Sequence, residues 1–442
     1  MANYRKFFTR ASEEGLEALE LSITKTSNFS FGLFRNEIDS YEISDSFVLN
    51  ARGIYQGKTG YASCEKADED AVNYVISHIK ENAELSTSAD ESIIFAGSEK
   101  YHKKNVYNKK LAETGKAEKI AFVKKLDAGI KETNPLIAEV ETAYRETSEE
   151  FILMNSHGLN LKSRTNYAFI YSSAVAADES GDTKNGFNME ILTDLDKLDR
   201  DAFVRKVVEK TISQFGSAPC KSARYRCVLS PAAVSSLLAG YVSNLSSAQV
   251  QKKSSLLEGK LNQQVASRKL TVYEKPLMPN AFFRYFDDEG VATCDKTLIK
   301  NGVLNTYLYN LRTAGKDGVA STGNGYKKGG NSIDIGLVNV CVKPGKLTEK
   351  ELIEKCGNGI YIDDLSGIHA GLNPQSGNFS LLSSGFLIEN GKLTRPVALI
   401  TSAGNIFDVF NNVQAVGNNV ETQMNTYQVP SMLVKSIMIS GE

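Results

Sequence analysis

Two tracts of the chain gather side chains that could do chemistry. FDDEG (286–290) sets Asp287, Asp288 and Glu289 side by side. Paired carboxylates can move a proton or hold a hard cation. Neighbours on a strand point to opposite faces, however, so adjacent acids converge only through a turn. The expectation is a solvated turn leading into a strand at 291–299. STGNGYKKGG (321–330) is glycine-rich and carries Lys327 and Lys328. A phosphate cradle needs a strand before it and a helix N-terminus after it. NSIDIGLVNV follows instead and reads as a strand, so a nucleotide site is not expected. Two readings remain: a flexible surface loop, or a loop whose bare backbone meets an extended peptide.

A third tract sits where catalysis is common and has nothing reactive in it. LSPAAVSSLLAGYVSN (229–244) reads as a helix following a strand, with no His, Asp, Glu, Cys or Lys. Ser230 suits the N-cap and Pro231 the first turn. Val234, Leu237, Leu238 and Tyr241 fall on one face, the pattern of a core helix. Elsewhere the reactive residues are scattered. The four histidines, His78, His102, His157 and His369, form no local motif. The six cysteines include no C-x-x-C pair, which fits reduced structural thiols. There is no G-x-S-x-G, so a serine or cysteine hydrolase is not expected.

The elements that must position these tracts divide the chain in two. A helix over 4–14 precedes strand-like runs at 19–24, 29–33, 36–43, 46–54 and 58–63, an antiparallel meander. Val72, Val75, Ile76 and Ile79 mark a helix, and 86–117 reads as a polar surface excursion. Val123, Leu126 and Ile130 mark a second helix, and Val204, Val208 and Ile212 a third. Between these two helices lie strand runs near 137–146, 150–154, 159–163 and 167–178. The small, polar GSAPCKSAR (216–224) is the expected boundary. Residues 1–218 are read as an N-terminal α+β domain, an antiparallel sheet with helices on one face. Residues 219–442 are read as a β-rich, barrel-like domain with a few helices. Asn301-Gly302 and Asn390-Gly391 fit type I′ hairpin turns there.

Bulk composition narrows the function. The 442 residues are 41% apolar and 23% charged, with a net charge of −1. That balance gives no electrostatic case for nucleic acid or an anionic membrane. The N-terminus has no apolar signal core, and no run approaches the length of a membrane span. A cytoplasmic protein is expected.

SSLLEGKLNQQVAS (254–267), FDDEGVAT (286–293), LIKNGVLNTYL (298–308), ASTGNG (320–325) and AVGNNVET (415–422) occur in one order and spacing. With them the chain, from about residue 17 to residue 440, resembles the TldD/PmbA family, whose catalytic branch consists of zinc metallopeptidases. In that branch the helix matching 231–241 carries HExxxH: two histidines hold zinc and the glutamate activates its water. The resemblance puts Pro231, Ala232 and Ser236 at those three positions, and residues 420–442 contain none of the Cys or His that would complete a zinc site. It therefore implies the PmbA (TldE) branch. No catalytic residue, metal or cofactor is expected in this chain, and zinc is expected in a TldD-type partner. The implied role is a non-catalytic subunit acting with that partner on modified or unfolded peptides. Ser321, Thr322, Gly323, Asn324 and Gly325 are the implied substrate-cleft candidates. A homodimeric peptide-binding module is the alternative, and a metallopeptidase with unrecognised ligands a third. The family's older label, modulator of DNA gyrase, has no echo in the charge.

Overall fold

A computed structural model describes residues 4–86, 93–327 and 332–442. Helix α1 (Arg5–Glu13) leads into three long antiparallel strands, β1 (Ala18–Phe34), β2 (Glu37–Tyr55) and β3 (Lys58–Cys64). Helix α2 (Glu69–Leu85), the single-turn α3 (Lys109–Glu113) and α4 (Lys116–Thr133) follow. Strands β4 (Ile137–Asn155), β5 (Asn160–Ala177) and β6 (Thr183–Leu192) then lead to helix α5 (Arg200–Ile212). The six strands form one sheet in the order β3-β2-β1-β4-β5-β6.

The period of β1 explains how one sheet carries two helical clusters. Leu19, Leu21 and Ile23 share a face with Phe29, Phe31 and Leu33, because all sit at odd positions. The first three pack with Phe7 of α1 and with Val72, Val75, Ile76 and Ile79 of α2. The second three pack with Val123, Leu126 and Ile130 of α4 and Phe203 and Val207 of α5. The runs read as 19–24 and 29–33 are thus one continuous strand. Its polar middle, Lys25 to Asn28, stays paired to β2 and β4 without a break. The pairs 36–43 with 46–54, 137–146 with 150–154 and 159–163 with 167–178 likewise merge into β2, β4 and β5.

The opposite face of this sheet is covered by the second half of the chain. Phe151 and Leu153 of β4 and Leu161 of β5 pack against Phe283, Tyr285 and Phe286. The Tyr285 hydroxyl donates to the Lys162 carbonyl at 2.7 Å, and the Tyr101 hydroxyl to the Gly290 carbonyl at 2.7 Å. Within the polar excursion, α3 buries Leu111, and Ile94 is buried as well.

In the second half, β7 (Ala223–Leu229) feeds helix α6 (Pro231–Ser243). Strands β8 (Gly359–Ser366), β9 (Asn378–Glu389), β10 (Lys392–Asn405) and β11 (Met432–Ser440) pair with β7 in the order β10-β9-β8-β7-β11. Pairing of Thr401 to Ala403 in β10 with Met438 to Ser440 in β11 closes the ring into a five-stranded barrel. A second sheet of short strands takes Val272–Glu274, Lys296–Lys300 and Val340–Val342 from the chain between α6 and β8, and Glu421–Thr422 and Gln428–Val429 from the chain just before β11. Both Asn-Gly turns have positive φ at both residues, 49° and 80° at Asn301-Gly302 and 52° and 75° at Asn390-Gly391, as type I′ requires. The architecture is α+β, with a β-rich barrel in the C-terminal region. Among the described residues, no helix is long and apolar enough to cross a membrane.

Candidate functional site

Helix α6 forms where it does for local reasons. The Ser230 hydroxyl accepts from the Ala233 amide at 3.1 Å and donates to the Asp363 carbonyl at 2.6 Å, capping the helix and pinning it to β8. Val234, Leu237, Leu238 and Tyr241 are fully buried, and the Tyr241 hydroxyl donates to the Val265 carbonyl at 2.8 Å. Pro231 is buried in the first turn.

Ala232 and Ser236 point elsewhere. With Ser235 they line a cavity of about 860 Å³ between the two halves of the chain. Its other walls are β6 (Asn185 to Glu190), Lys206 and Lys210 of α5, the end of β8 at Asp363 and Asp364, and residues 420–425. The cavity is large enough for a sizeable organic ligand. Six consecutive residues of β6 border it. Since successive side chains point to opposite faces, the cavity runs along the strand's edge. That edge is free, for β6 is the last strand of its sheet.

The charge in the cavity is partly compensated. Lys206 pairs with Glu421 at 2.8 Å, and Lys210 lies over the Phe187 ring at 5.7 Å. Burial pushes the Asp363 carboxyl up, and Asp364, Glu349 and Glu421 add to this against the pull of Lys210. Glu190 is exposed at the surface, and its local desolvation still raises its carboxyl, with Lys206 opposing and Glu421 adding to it. Among the described residues, no His or Cys lines the cavity. The arrangement can hydrogen-bond and ion-pair a ligand, but among those residues no thiol or imidazole stands ready as a nucleophile or base.

The residues at the implied zinc position do not fit the ion. Pro231 and Ala232 bring no donor side chain, and Ser236 brings a neutral hydroxyl, whereas zinc takes thiolate, imidazole or carboxylate. Among the described residues, no three His, Cys, Asp or Glu gather as a metal-holding group.

The acidic tract is buried, which corrects the expectation of a solvated turn. Asp287 is fully buried, Glu289 is 4% exposed and Asp288 9%. Backbone donors, some local and some distant in sequence, replace water. Asp287 accepts from the amides of Glu289 at 3.0 Å, Val291 at 2.9 Å and Gly325 at 2.9 Å. Asp288 accepts from the Lys327 amide at 2.9 Å and pairs with Arg284. Glu289 accepts from the Leu311 amide at 2.8 Å. Burial, with Glu289 nearby, pushes the Asp287 carboxyl up against the pull of its amide donors. The strand expected at 291–299 begins only at Lys296.

Those same contacts place the five residues Ser321 to Gly325. Asn324 is fully buried, and its amide donates to Glu274 at 2.9 and 3.0 Å and to the Gly336 carbonyl at 2.8 Å. Lys296 bridges Glu274 at 2.7 Å and Asn324 at 3.0 Å. Thr322 donates to Asn324 at 2.8 Å and accepts from the Tyr309 amide at 2.7 Å, while Ser321 donates to the Tyr309 carbonyl at 3.1 Å. Gly323 and Gly325 are buried, Gly323 with φ of 69°. None of the five lines the cavity beside α6. Lys327 reaches Ser22 of β1 at 2.5 Å, and Lys328 lies outside the described residues.

The cavity's β6 wall escaped the sequence reading altogether. Its buried positions are Gly186, Asn188 and, at the far end, Leu192, so a single apolar residue left strand periodicity without a signal. Lys206 and Lys210 could have been found, four apart on the helix marked by Val204 and Val208.

Comparison with known proteins agrees with this architecture. Three family models match in succession: PmbA/TldA metallopeptidase domain 1 over residues 19–83, the central domain over 109–215 and the C-terminal domain over 222–441. The chain is 26% identical to a protein named metalloprotease PmbA homolog from Haemophilus influenzae, over 98% of this chain and 94% of that one. Metalloprotease PmbA of Escherichia coli O157:H7 is 25% identical over 96% and 93%. A crystal structure from Thermotoga maritima, described as a proposed modulator of a DNA gyrase, superposes with a TM-score of 0.91 at 28% identity, covering 99% of both chains. The fold of TldE from Thermococcus kodakarensis superposes at 0.90 with 24% identity over 99% of this chain and 100% of that one. With the matches running from β1 to the end of β11 and the similarity extending over nearly the whole length, the chain belongs to the PmbA/TldD family.

Proposed function

We propose that this chain is the non-catalytic subunit of a two-chain zinc peptidase, with the metal and the water-activating carboxylate supplied by a TldD-type partner. The observation that carries the reading is α6. It keeps its cap, its buried face and its place in the cavity wall, yet presents Ala232 and Ser236 to that cavity where a peptidase would present ligands. The names of the relatives support peptide chemistry in the family. The subunit would help enclose a peptide or unfolded segment between the two chains.

The test is native mass spectrometry of the protein isolated from its own cells, with zinc counted in each species. The expected result is a one-to-one complex with a second, homologous chain, zinc in that complex only, and peptidase activity that disappears when this chain is withdrawn. Zinc bound stoichiometrically to this chain alone, or undiminished activity without it, would overturn the reading.

A further inference from the structure

Strand β2 has a neighbour on both sides only over its second half. It runs beside β1 from Glu37 to Ile54, whereas β3 meets it only from Leu49 to Tyr55. Over residues 37–48 its outer edge therefore has no strand beside it among the described residues, and every second amide and carbonyl there faces away from β1. Ile38, Tyr41 and Ile43 lie opposite Leu33, Phe31 and Phe29 of β1, on the face that α4 covers. That face runs one strand further than the helix does. Phe29, Phe31 and Leu33 are buried, while Ile38, Tyr41 and Ile43 are 45%, 50% and 52% exposed. Asp39, Glu42 and Asp45 stand along the same stretch, exposed and with no ion pair among the described residues. No Lys or Arg occurs from residue 36 to residue 51. The nearby cations are engaged, Lys124 with Glu37 at 3.5 Å and Lys116 over the Phe29 ring at 5.5 Å.

We propose that this edge of β2 is the docking surface for a partner chain, which adds a strand carrying Lys or Arg, and that the strand does not come from a second copy of this chain. Charges alone are a common guard on an exposed edge. A guarded edge has no need of three large apolar side chains beside it, and these give an added strand something to cover. The charges select the strand. Two copies pairing edge to edge about a two-fold centred on Glu42 would set Glu42 against Glu42 and Asp39 against Asp45, and like charges directly opposite are destabilising. In any other register the stretch still offers no cation to meet its acids. A strand with Lys or Arg turns each clash into an attraction and lays its apolar side chains on Ile38, Tyr41 and Ile43. In the function proposed above the partner is the TldD-type chain. The inference rests on that reading for the partner's identity, and it disfavours the homodimeric alternative at this surface.

The test follows amide hydrogen exchange over 37–48 by mass spectrometry at low salt. The full chain is mixed with the same chain carrying Asp39→Lys, Glu42→Lys and Asp45→Lys, which presents a basic strand of matching length. Exchange of alternate amides at the parent's edge is expected to slow about tenfold or more in the mixture. Adding more parent instead should leave it unchanged, and high salt or Ile43→Asp in the parent should restore fast exchange. An edge that exchanges as fast in the mixture as alone, or that further parent slows equally, would overturn the proposal. The unmodified protein decides too, should the triple variant misfold. In the one-to-one complex isolated from its own cells, the same amides should exchange about tenfold more slowly than in the free chain. A complex that leaves this edge open would overturn the docking surface with the subunit reading intact. Recovery of no complex would sink the subunit reading, and the mixture would still decide the edge.

Discussion

Replacing Glu274 by glutamine tests whether the glycine-rich loop is a fixed strap or a flexible one. Glu274 is fully buried and accepts four hydrogen bonds, from Lys296 at 2.7 Å, from Asn324 at 2.9 and 3.0 Å and from the Val338 amide at 2.9 Å. The Lys296 side chain is 10% exposed. Glutamine keeps one acceptor but turns an NH₂ toward the ammonium, leaving a buried charge unpaired. Breaking a buried pair from one side costs about 3–5 kcal/mol. For a folding unit the size of the C-terminal region, each kcal/mol shifts the melting midpoint by about 2–4 °C, so the loss is about 6–20 °C. Lys296→Met should lose a similar amount. The double variant should lose much less than the sum, because removing both charges leaves none to compensate. Circular dichroism melts of the four proteins at one pH measure this. A Glu274→Gln protein melting within about 2 °C of the parent, or strictly additive losses, would refute the strap and restore the flexible loop.

Three further predictions follow from local geometry. Ser230→Ala removes both the cap of α6 and its tie to β8 and should cost about 1–2 kcal/mol in urea unfolding, largely recovered by Ser230→Thr. Gly60→Ala should destabilise by about 1–3 kcal/mol or more, since a Cβ there would meet the Ile79 carbonyl oxygen at 1.8 Å and lift α2 from β3; a variant as stable as the parent would contradict the packing. Asp363→Asn should stabilise the chain at neutral pH but not in acid. The raised carboxyl pKa means that the folded protein binds more protons than the unfolded one above the unfolded value of about 3.9, so the parent loses stability as pH rises through that window and the amide does not. Melting midpoints from pH 4 to pH 7 should diverge progressively.

Residues whose partners are near in sequence were legible, and residues whose partners are distant were not. Ser230 and Pro231 announced α6, and Asn301-Gly302 and Asn390-Gly391 announced their hairpins, because each acts within a turn of itself. Apolar spacing found α2 and α4. It split β1 at Lys25 to Asn28, since polar residues between two helical clusters have no core to face, although their backbone pairing is unbroken. It missed β6 because glycine and asparagine take two of its three buried positions, and only Leu192 is apolar; a Cβ at Gly186 would meet the backbone of Lys210 and Thr211. The acids of FDDEG looked solvated because their local partners at Arg284, Glu289 and Val291 satisfy only part of them. Their donors at Leu311, Gly325 and Lys327 arrive from 22 to 39 residues away. The cavity beside α6 draws its walls from β6, α5, β8 and residues 420–425, and no local spacing encodes such a meeting.

The long sheet bears on how the chain can change over evolutionary time. The first two family matches, 19–83 and 109–215, look like separable modules on the page, yet β1 belongs to one and β4 to the other, and fifteen residues of each lie in register side by side. A recombination event joining the first segment of one homologue to the second of another would have to match faces, bulges and both helical clusters along that seam at once. The two segments must therefore be inherited as a pair. A chain nicked at 93–108, between α2 and α3, should remain one particle until denatured, its halves held by the ladder of β1 and β4.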